Sequence, residues 1–437
     1  MEAPWSEYEV VHLLQRATFS ASASEINACL KLGKEETVKR LITGESLTNY
    51  GPELLALPDV LADGKNLVAD RITDHQTYWL YRMVNTKAPL IEKMTLFWHG
   101  HFATSYASVR EIPLLLKQHE LFRERGLGSF RDLVSAIGKD PAMMLYLNAN
   151  NNRKGKPNEN YAREVMELFT LGIGNYTEED VKAAARALTG WNVKKETGDV
   201  TFNGKQHDAG VKTILAQTGN FDEADLVNIL FEQKALPQFI AKKLLQFFCT
   251  PTPSEEWISL VADDFANEKS VGEVLSHLFL SDRFYAPENR QSVVKSPAEY
   301  VACLVKAFEL PLTNGYVWAM RKMGQELYLP PDVAGWRGGA TWLMTTNLLA
   351  RYQFAESVAR KVKPALLISP GYQPMMNEAK DWVALWSSNA NIWSIGDHTA
   401  TVLAKYAEST FIHAQKKTTG MRGLLHLLMI SPEAQMK

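Results

Sequence analysis

Residues 161–213 read "YAREVMELFTLGIGNYTEEDVKAAARALTGWNVKKETGDVTFNGKQHDAGVKT". Three patterns follow one another in this stretch. Residues 161–174 read as a helix, which Gly172 and Gly174 are expected to end because glycine takes the left-handed conformation that closes a helix. Thr177 with Asp180 three residues later resembles a capping box, with Asp in place of the usual Glu or Gln, so a second helix starts there and runs to Gly190. At Trp191 the character changes. Thr197-Gly198-Asp199 and Asn203-Gly204 are turn signals between short β-prone runs. The reading is a small hairpin near 191–203, with a trailing loop to 213, inserted in an α-helical body.

The helical pattern continues on both sides. Residues 1–43 read as two helices. Ile72, Trp79, Leu80 and Met83 repeat at helical spacing, and Pro89 restarts a helix that runs toward Trp98. Further helices are expected at 108–125, 129–138, 222–234, 236–249, 254–267, 271–281 and 296–309. Proline and glycine make 44–66 and 323–342 irregular. A chain of 437 residues has room for two or three domains. Nothing resembling a linker interrupts it, so the expected fold is all-α (predominantly helical), one large domain over 1–437 with the insertion at 191–213.

The bulk numbers exclude several classes. A 46% hydrophobic fraction supports a substantial core, and a net charge of −2 gives no global field toward nucleic acid or an anionic membrane. Cys29, Cys249 and Cys303 are far apart and odd in number, with no CxxC spacing, so neither a disulfide framework nor a cysteine zinc site is suggested. No apolar run is long enough to span a membrane. The start, "MEAPWSEYEVVHLLQRATFS", lacks a basic segment followed by an apolar one, so a cytoplasmic protein is expected.

Four polar groupings stand out. "FWHGHFATS" (97–105) holds His99 and His101 around Gly100. In a helix their side chains point about 200° apart and cannot share an ion. In an extended segment they lie on one face and can chelate a divalent metal ion. The alternative is a pair of imidazoles hydrogen-bonded at a helix C-terminus. Second, "NANNNRKGKPNEN" (148–160) carries six asparagines ahead of a helix holding Arg163, Glu164 and Glu167. Glu164 and Glu167 share a helix face and suit metal binding or acid–base work. The amides, with Arg153, Asn158, Asn160 and Arg163, suit an anionic or hydroxyl-rich ligand at a helix start. Third, His207-Asp208, in a loop with Lys212, could supply a base, or one metal ligand with a carboxylate beside it; the alternative is a plain turn. Fourth, Asp332 and Trp336 in "PPDVAGWRGGATW" suit a site wall. Nucleophile-elbow, phosphate-loop and zincin motifs are absent from the sequence.

Taken in order, "HLLQRATFS", "FWHGHFATS", "NRKGKPNENYAREVMELFTLGIGNYTEEDVKAAARALTGW", "HDAGVKT" and "MGQELYLPPDVAGW" resemble the bacterial family catalogued as domain of unknown function 1800. The likeness runs from about His12 to "LLMISPEAQ". It brings no activity with it. Members are often encoded beside a second family resembling alkaline phosphatases and sulfatases, which implies such a companion protein as partner. Many members are exported; with no signal read at its start, this chain is expected to stay in the cytoplasm, to have a truncated or misassigned start, or to leave with a signal-bearing partner. The family's motifs fall on the same polar segments, and one convergent cleft is the economical reading.

Three expectations result. In a metal-assisted hydrolase, His99, His101, Glu164 and Glu167 are the metal ligands. His207 with Asp208, or Glu159, is then the acid–base group, while Arg163 and Lys212 hold an anion. In a non-catalytic scaffold, the same Asn, Arg and Trp side chains hold a glycan or the companion protein. In a purely structural reading they are buried networks that fix long loops.

Overall fold

The structure is a computed structural model that describes residues 5–20, 22–48, 68–363, 378–412 and 417–437. Helices dominate it, and its strands form two small antiparallel pairs. The irregular segment expected at 44–66 lies, from residue 49 on, outside the described residues.

Local chemistry sets the helix starts. Ser6 with Glu9, Ser22 with Glu25, Thr177 with Asp180 and Ser296 with Glu299 form reciprocal capping boxes. The first 43 residues hold three helices, Glu7–Ala17, Ala23–Leu32 and Lys34–Thr43. The extra break falls at Gly33, whose φ of +82° stops one helix before the next begins.

By its internal contacts the chain divides into two units. The first takes residues 1–93, 279–326 and 338–437. Its helices include Ile72–Asn85, Pro297–Ala307, Asn314–Lys322, Thr345–Lys361 and Lys417–Ile430. Trp79 is buried there, and its indole N–H donates to Glu92 at 3.1 Å. Glu92 also accepts from Arg82 at 2.6 Å.

The second unit takes residues 94–278 and 327–337. It includes Ile112–Arg125, Phe130–Gly138, Asn160–Glu164, Glu178–Ala187, Ala235–Phe248 and Glu255–Ala266. Buried Trp98, Phe102, Phe122, Phe130 and Phe169 pack as its aromatic core. The expected hairpin is present, with Trp191 opposite Phe202 and Lys194 opposite Asp199. Gly198, at φ +70°, closes it by donating to the Lys194 carbonyl at 2.8 Å. A second hairpin pairs Lys212–Ile214 with Gln217–Gly219. Its turn residues Leu215 and Ala216 both have positive φ. No helix among the described residues is long and apolar enough to cross a membrane.

Candidate functional site

The helix Pro89–His101 carries both histidines and does not break at Gly100. His99 and His101 therefore stand in the helical arrangement, the one whose spacing turns them apart. Each ring is engaged by protein. The Nε2 of His99 accepts from the Tyr328 backbone N–H at 3.0 Å, so the neutral ring carries its proton on Nδ1 and directs it to His119 Nε2 at 3.2 Å. Burial holds His99 neutral, down at about 3. Tyr328 and Trp336 flank the ring. The loop that brings them approaches so closely that a Cβ on Gly335 would lie 2.3 Å from the Gly100 carbonyl oxygen.

His101 donates from Nε2 to the Phe169 carbonyl at 3.0 Å, and its Nδ1 faces Lys243 Nζ at 3.2 Å. Burial and then the charge of Lys243 keep its ring neutral. Among the described residues, no group of three or more His, Cys, Asp or Glu side chains stands ready for a metal ion.

The carbonyls of Leu168 and Phe169 belong to an unusual stretch. After Asn160–Glu164 the helix widens into a π-turn, Val165–Thr170. Such turns occur mostly as single bulges and often at functional sites. The widening presents Glu167 to a cleft of about 610 Å³, lined also by Asn175, Gln238, Phe239, Lys243 and Gln246. Glu167 accepts from the Tyr176 hydroxyl. Glu164 is half-buried, and burial followed by the neighbouring Glu167 charge raises its carboxyl. Tyr146 is raised by burial and then by Asp332 and Glu164.

Lys243 is the group that sequence reasoning missed. Its Nζ donates to the Leu168 carbonyl at 3.2 Å and to His101 Nδ1, and lies 4.8 Å from the Phe239 ring centroid. Burial lowers its pKa to about 8. The available signal was the pair Lys242-Lys243 inside "ALPQFIAKKLLQFF". Adjacent positions on a helix lie about 100° apart, so one of two neighbouring lysines on an amphipathic helix must stand nearer the core.

The remaining expected residues go elsewhere. The Asn-rich loop is stitched inward: Asn152 donates to the Ala185 carbonyl at 2.7 Å and accepts from the Asn158 N–H at 2.9 Å. Asn158 in turn accepts from the Asn160 N–H, and Arg153 bridges to Lys156. Arg163 forms a two-point pair with Glu178 at 2.7 Å and reaches Glu159 at 3.3 Å, all near the surface. His207 Nδ1 donates to the Thr189 carbonyl at 2.9 Å. Asp208 is gripped by Arg186 at 2.7 and 3.2 Å, and this pairing holds its carboxyl down at about 2. Lys212 is buried and donates to the Gly210 carbonyl at 3.0 Å. Asp332 accepts from the Ala334 N–H in its own loop. The structure thus brings Glu164, Glu167, Asp332 and, through Lys243, His101 toward one region. It gathers His207, Asp208 and Lys212 around Arg186 and Thr189, apart from the cleft lining.

A family described as a protein of unknown function, DUF1800, matches residues 12–436. With nearly the whole chain matched, the chain belongs to that family. No curated protein and no solved structure matches it.

Proposed function

We propose, for this member of a family whose description assigns no function, that the Glu167–Lys243 cleft binds a small anionic, oxygen-rich substrate and performs acid–base chemistry on it. Hydrolysis is the reaction class. The observation that carries this reading is the setting of Lys243. Two of the three ammonium N–H groups are taken by His101 and Leu168, which leaves the third for a ligand. A value of about 8 lets the amine exchange a proton near neutral pH, as a general base or acid must. Glu167, held by Tyr176 on the same lining, supplies a carboxylate partner. A metal-assisted route through His99 and His101 would first require both rings to release their present partners.

A second reading has its own support. Ile173 lines the same cleft and is 80% exposed, an apolar anchor of the kind that a protein partner covers. A companion resembling alkaline phosphatases or sulfatases would dock there, and the chain would act as its scaffold.

Limiting acetylation at pH 8, mapped on peptides, tests the first reading without knowledge of the substrate. Lys243 is expected to react ahead of exposed Lys242. A panel of phosphate, sulfate, carboxylate and glycoside esters follows, with Lys243→Met expected to abolish turnover in a protein of unchanged helicity. Labelling of Lys243 no faster than Lys242, together with full turnover by Lys243→Met, would sink the proposal. Loss of companion binding in Ile173→Asp with turnover absent throughout would favour the scaffold.

A further inference from the structure

The first unit holds a pocket that the reading above does not use. It measures about 230 Å³ and lies between the helices Asn314–Lys322 and Thr345–Lys361. Tyr316, Trp318, Lys322, Gln353, Ser357 and Lys361 line it. Trp318 is 50% exposed, unusual for so large an apolar ring. The Arg321 guanidinium lies over it, 5.3 Å from the ring centroid, and is itself paired with Glu326 at 3.1 Å.

Tyr316 shows the opposite condition. Its side chain is 2% exposed, yet its hydroxyl has no hydrogen-bond partner. Buried hydroxyls are nearly always bonded, but this one is enclosed by protein and is not reached from the pocket. Burial also raises the phenol to about 12, which keeps it a donor at physiological pH. Lys361 Nζ lies 4.8 Å from the Tyr316 ring centroid. Among the described residues, neither Lys322 nor Lys361 forms an ion pair.

Each part restricts the occupant. The volume suits one ring. A half-exposed indole offers a flat apolar face, which the C–H face of a sugar or an aromatic ring would cover. Two lysines without acidic partners select negative charge. Gln353 and Ser357 offer hydrogen bonds that a hydroxyl-bearing ring would use and a plain aromatic acid would not.

We propose that this pocket binds a single sugar ring bearing a carboxylate, a uronic acid, with the ring on Trp318 and the carboxylate beside Lys322 and Lys361. The site is independent of the Lys243 cleft.

Calorimetric titration of the full chain with D-glucuronate tests it, with D-glucose and benzoate as separate arms. Saturable glucuronate binding is expected, with glucose and benzoate each weaker. Trp318→Ala, a change at an exposed position, is expected to weaken binding about tenfold. Lys361→Gln is expected to reduce the preference for glucuronate over glucose. The proposal is overturned if glucuronate binds no better than glucose, if benzoate binds better than both, or if Trp318→Ala binds as the parent does.

Discussion

Lys243 can act on a ligand only in the protonation state that its surroundings permit. His101 Nδ1 accepts its hydrogen bond because burial keeps that ring neutral, and Phe239 takes the cation on its face. An ordinary lysine stays charged to above pH 10, whereas burial lowers this one to about 8. The ammonium that attracts an anion is therefore present below pH 8 and lost above it. Sulfate is a suitable probe, since its own charge is constant across this range. The stabilisation that sulfate gives in thermal melts is expected to fall as pH rises through about 8, and Lys243→Met should abolish that pH-dependent part. A sulfate effect that stays level from pH 7 to 10 would contradict the assignment. Gly335 makes a second argument at this scale. It has φ +76°, and its missing side chain would collide with the Gly100 carbonyl, a backbone atom that cannot swing aside. Gly335→Ala must move the loop that packs Tyr328 and Trp336 on His99. A loss of about 1–3 kcal/mol in urea unfolding is expected from the strained backbone and displaced contact.

Elements were legible where their local chemistry follows common rules, and obscure where it departs from them. Thr177 and Asp180 marked their helix start because a capping box needs only two residues at fixed spacing. The first hairpin announced itself through Gly198. The second did not, because Leu215 and Ala216 occupy a two-residue turn that usually takes Asn-Gly. Both adopt positive φ without being glycine, and the Leu215 N–H is fastened to Asp180 at 2.7 Å. Ala216 is exposed, so Ala216→Gly relieves strain without loss of packing. It is expected to stabilise by about 0.5–1 kcal/mol, set against the extra unfolded-state freedom of glycine, and denaturant melts would show it. The π-turn at Val165–Thr170 has no sequence signature, and with it went the geometry that opens Glu167 to the cleft. The candidate site was half legible for that reason. Glu164 and Glu167 could be read from their spacing, but the burial that alters Lys243 depends on packing from distant segments. The dipeptide His207-Asp208 could not reveal that Thr189 and Arg186 engage it, because those partners come from another helix end.

A helix cap also sets a pH dependence. Asp140 opens the helix Pro141–Tyr146, accepting from the Met143 N–H at 2.8 Å and from Gln118 at 2.7 Å. It is buried, and burial raises its carboxyl to about 7, against an ordinary 3.8. The folded state then holds a proton that the unfolded state releases, so this group's contribution is full below pH 4 and is lost as pH rises toward 7. Asp140→Asn keeps the accepting oxygen and carries no charge. Its stability is expected to be flatter between pH 4 and 7 than the parent's, and greater at pH 7. Parallel profiles for the two proteins would show that Asp140 does not titrate in that window.

Over the whole molecule the charges nearly cancel, but the interior of the first unit does not follow that balance. Lys93, Lys295, Lys437 and Arg351 are all buried there. Glu299 is the carboxylate that both Lys93 and Lys437 touch. Burial alone would raise this carboxyl, but Lys437 and Lys93 outweigh that and hold it below its ordinary range. Its stabilising contribution is therefore present above its ordinary value near 4.5 and lost only in strong acid. Lys437 is the mirror case. Burial lowers it from 10.5 to about 7, so the unfolded chain binds the extra proton between those values and stability rises with pH across that window. Glu299→Gln separates charge from cap. Glutamine still accepts from the Ser296 N–H in the capping box, but no longer compensates the two lysines. Removing one partner from a buried ionic cluster commonly costs about 3–5 kcal/mol. Urea melts of Glu299→Gln are expected to show a loss of that order at pH 6. The deficit should shrink toward pH 10, because Lys437 sheds its proton in the folded state as pH rises through about 7. An equal deficit at both pH values would mean that the variant lost packing rather than charge compensation.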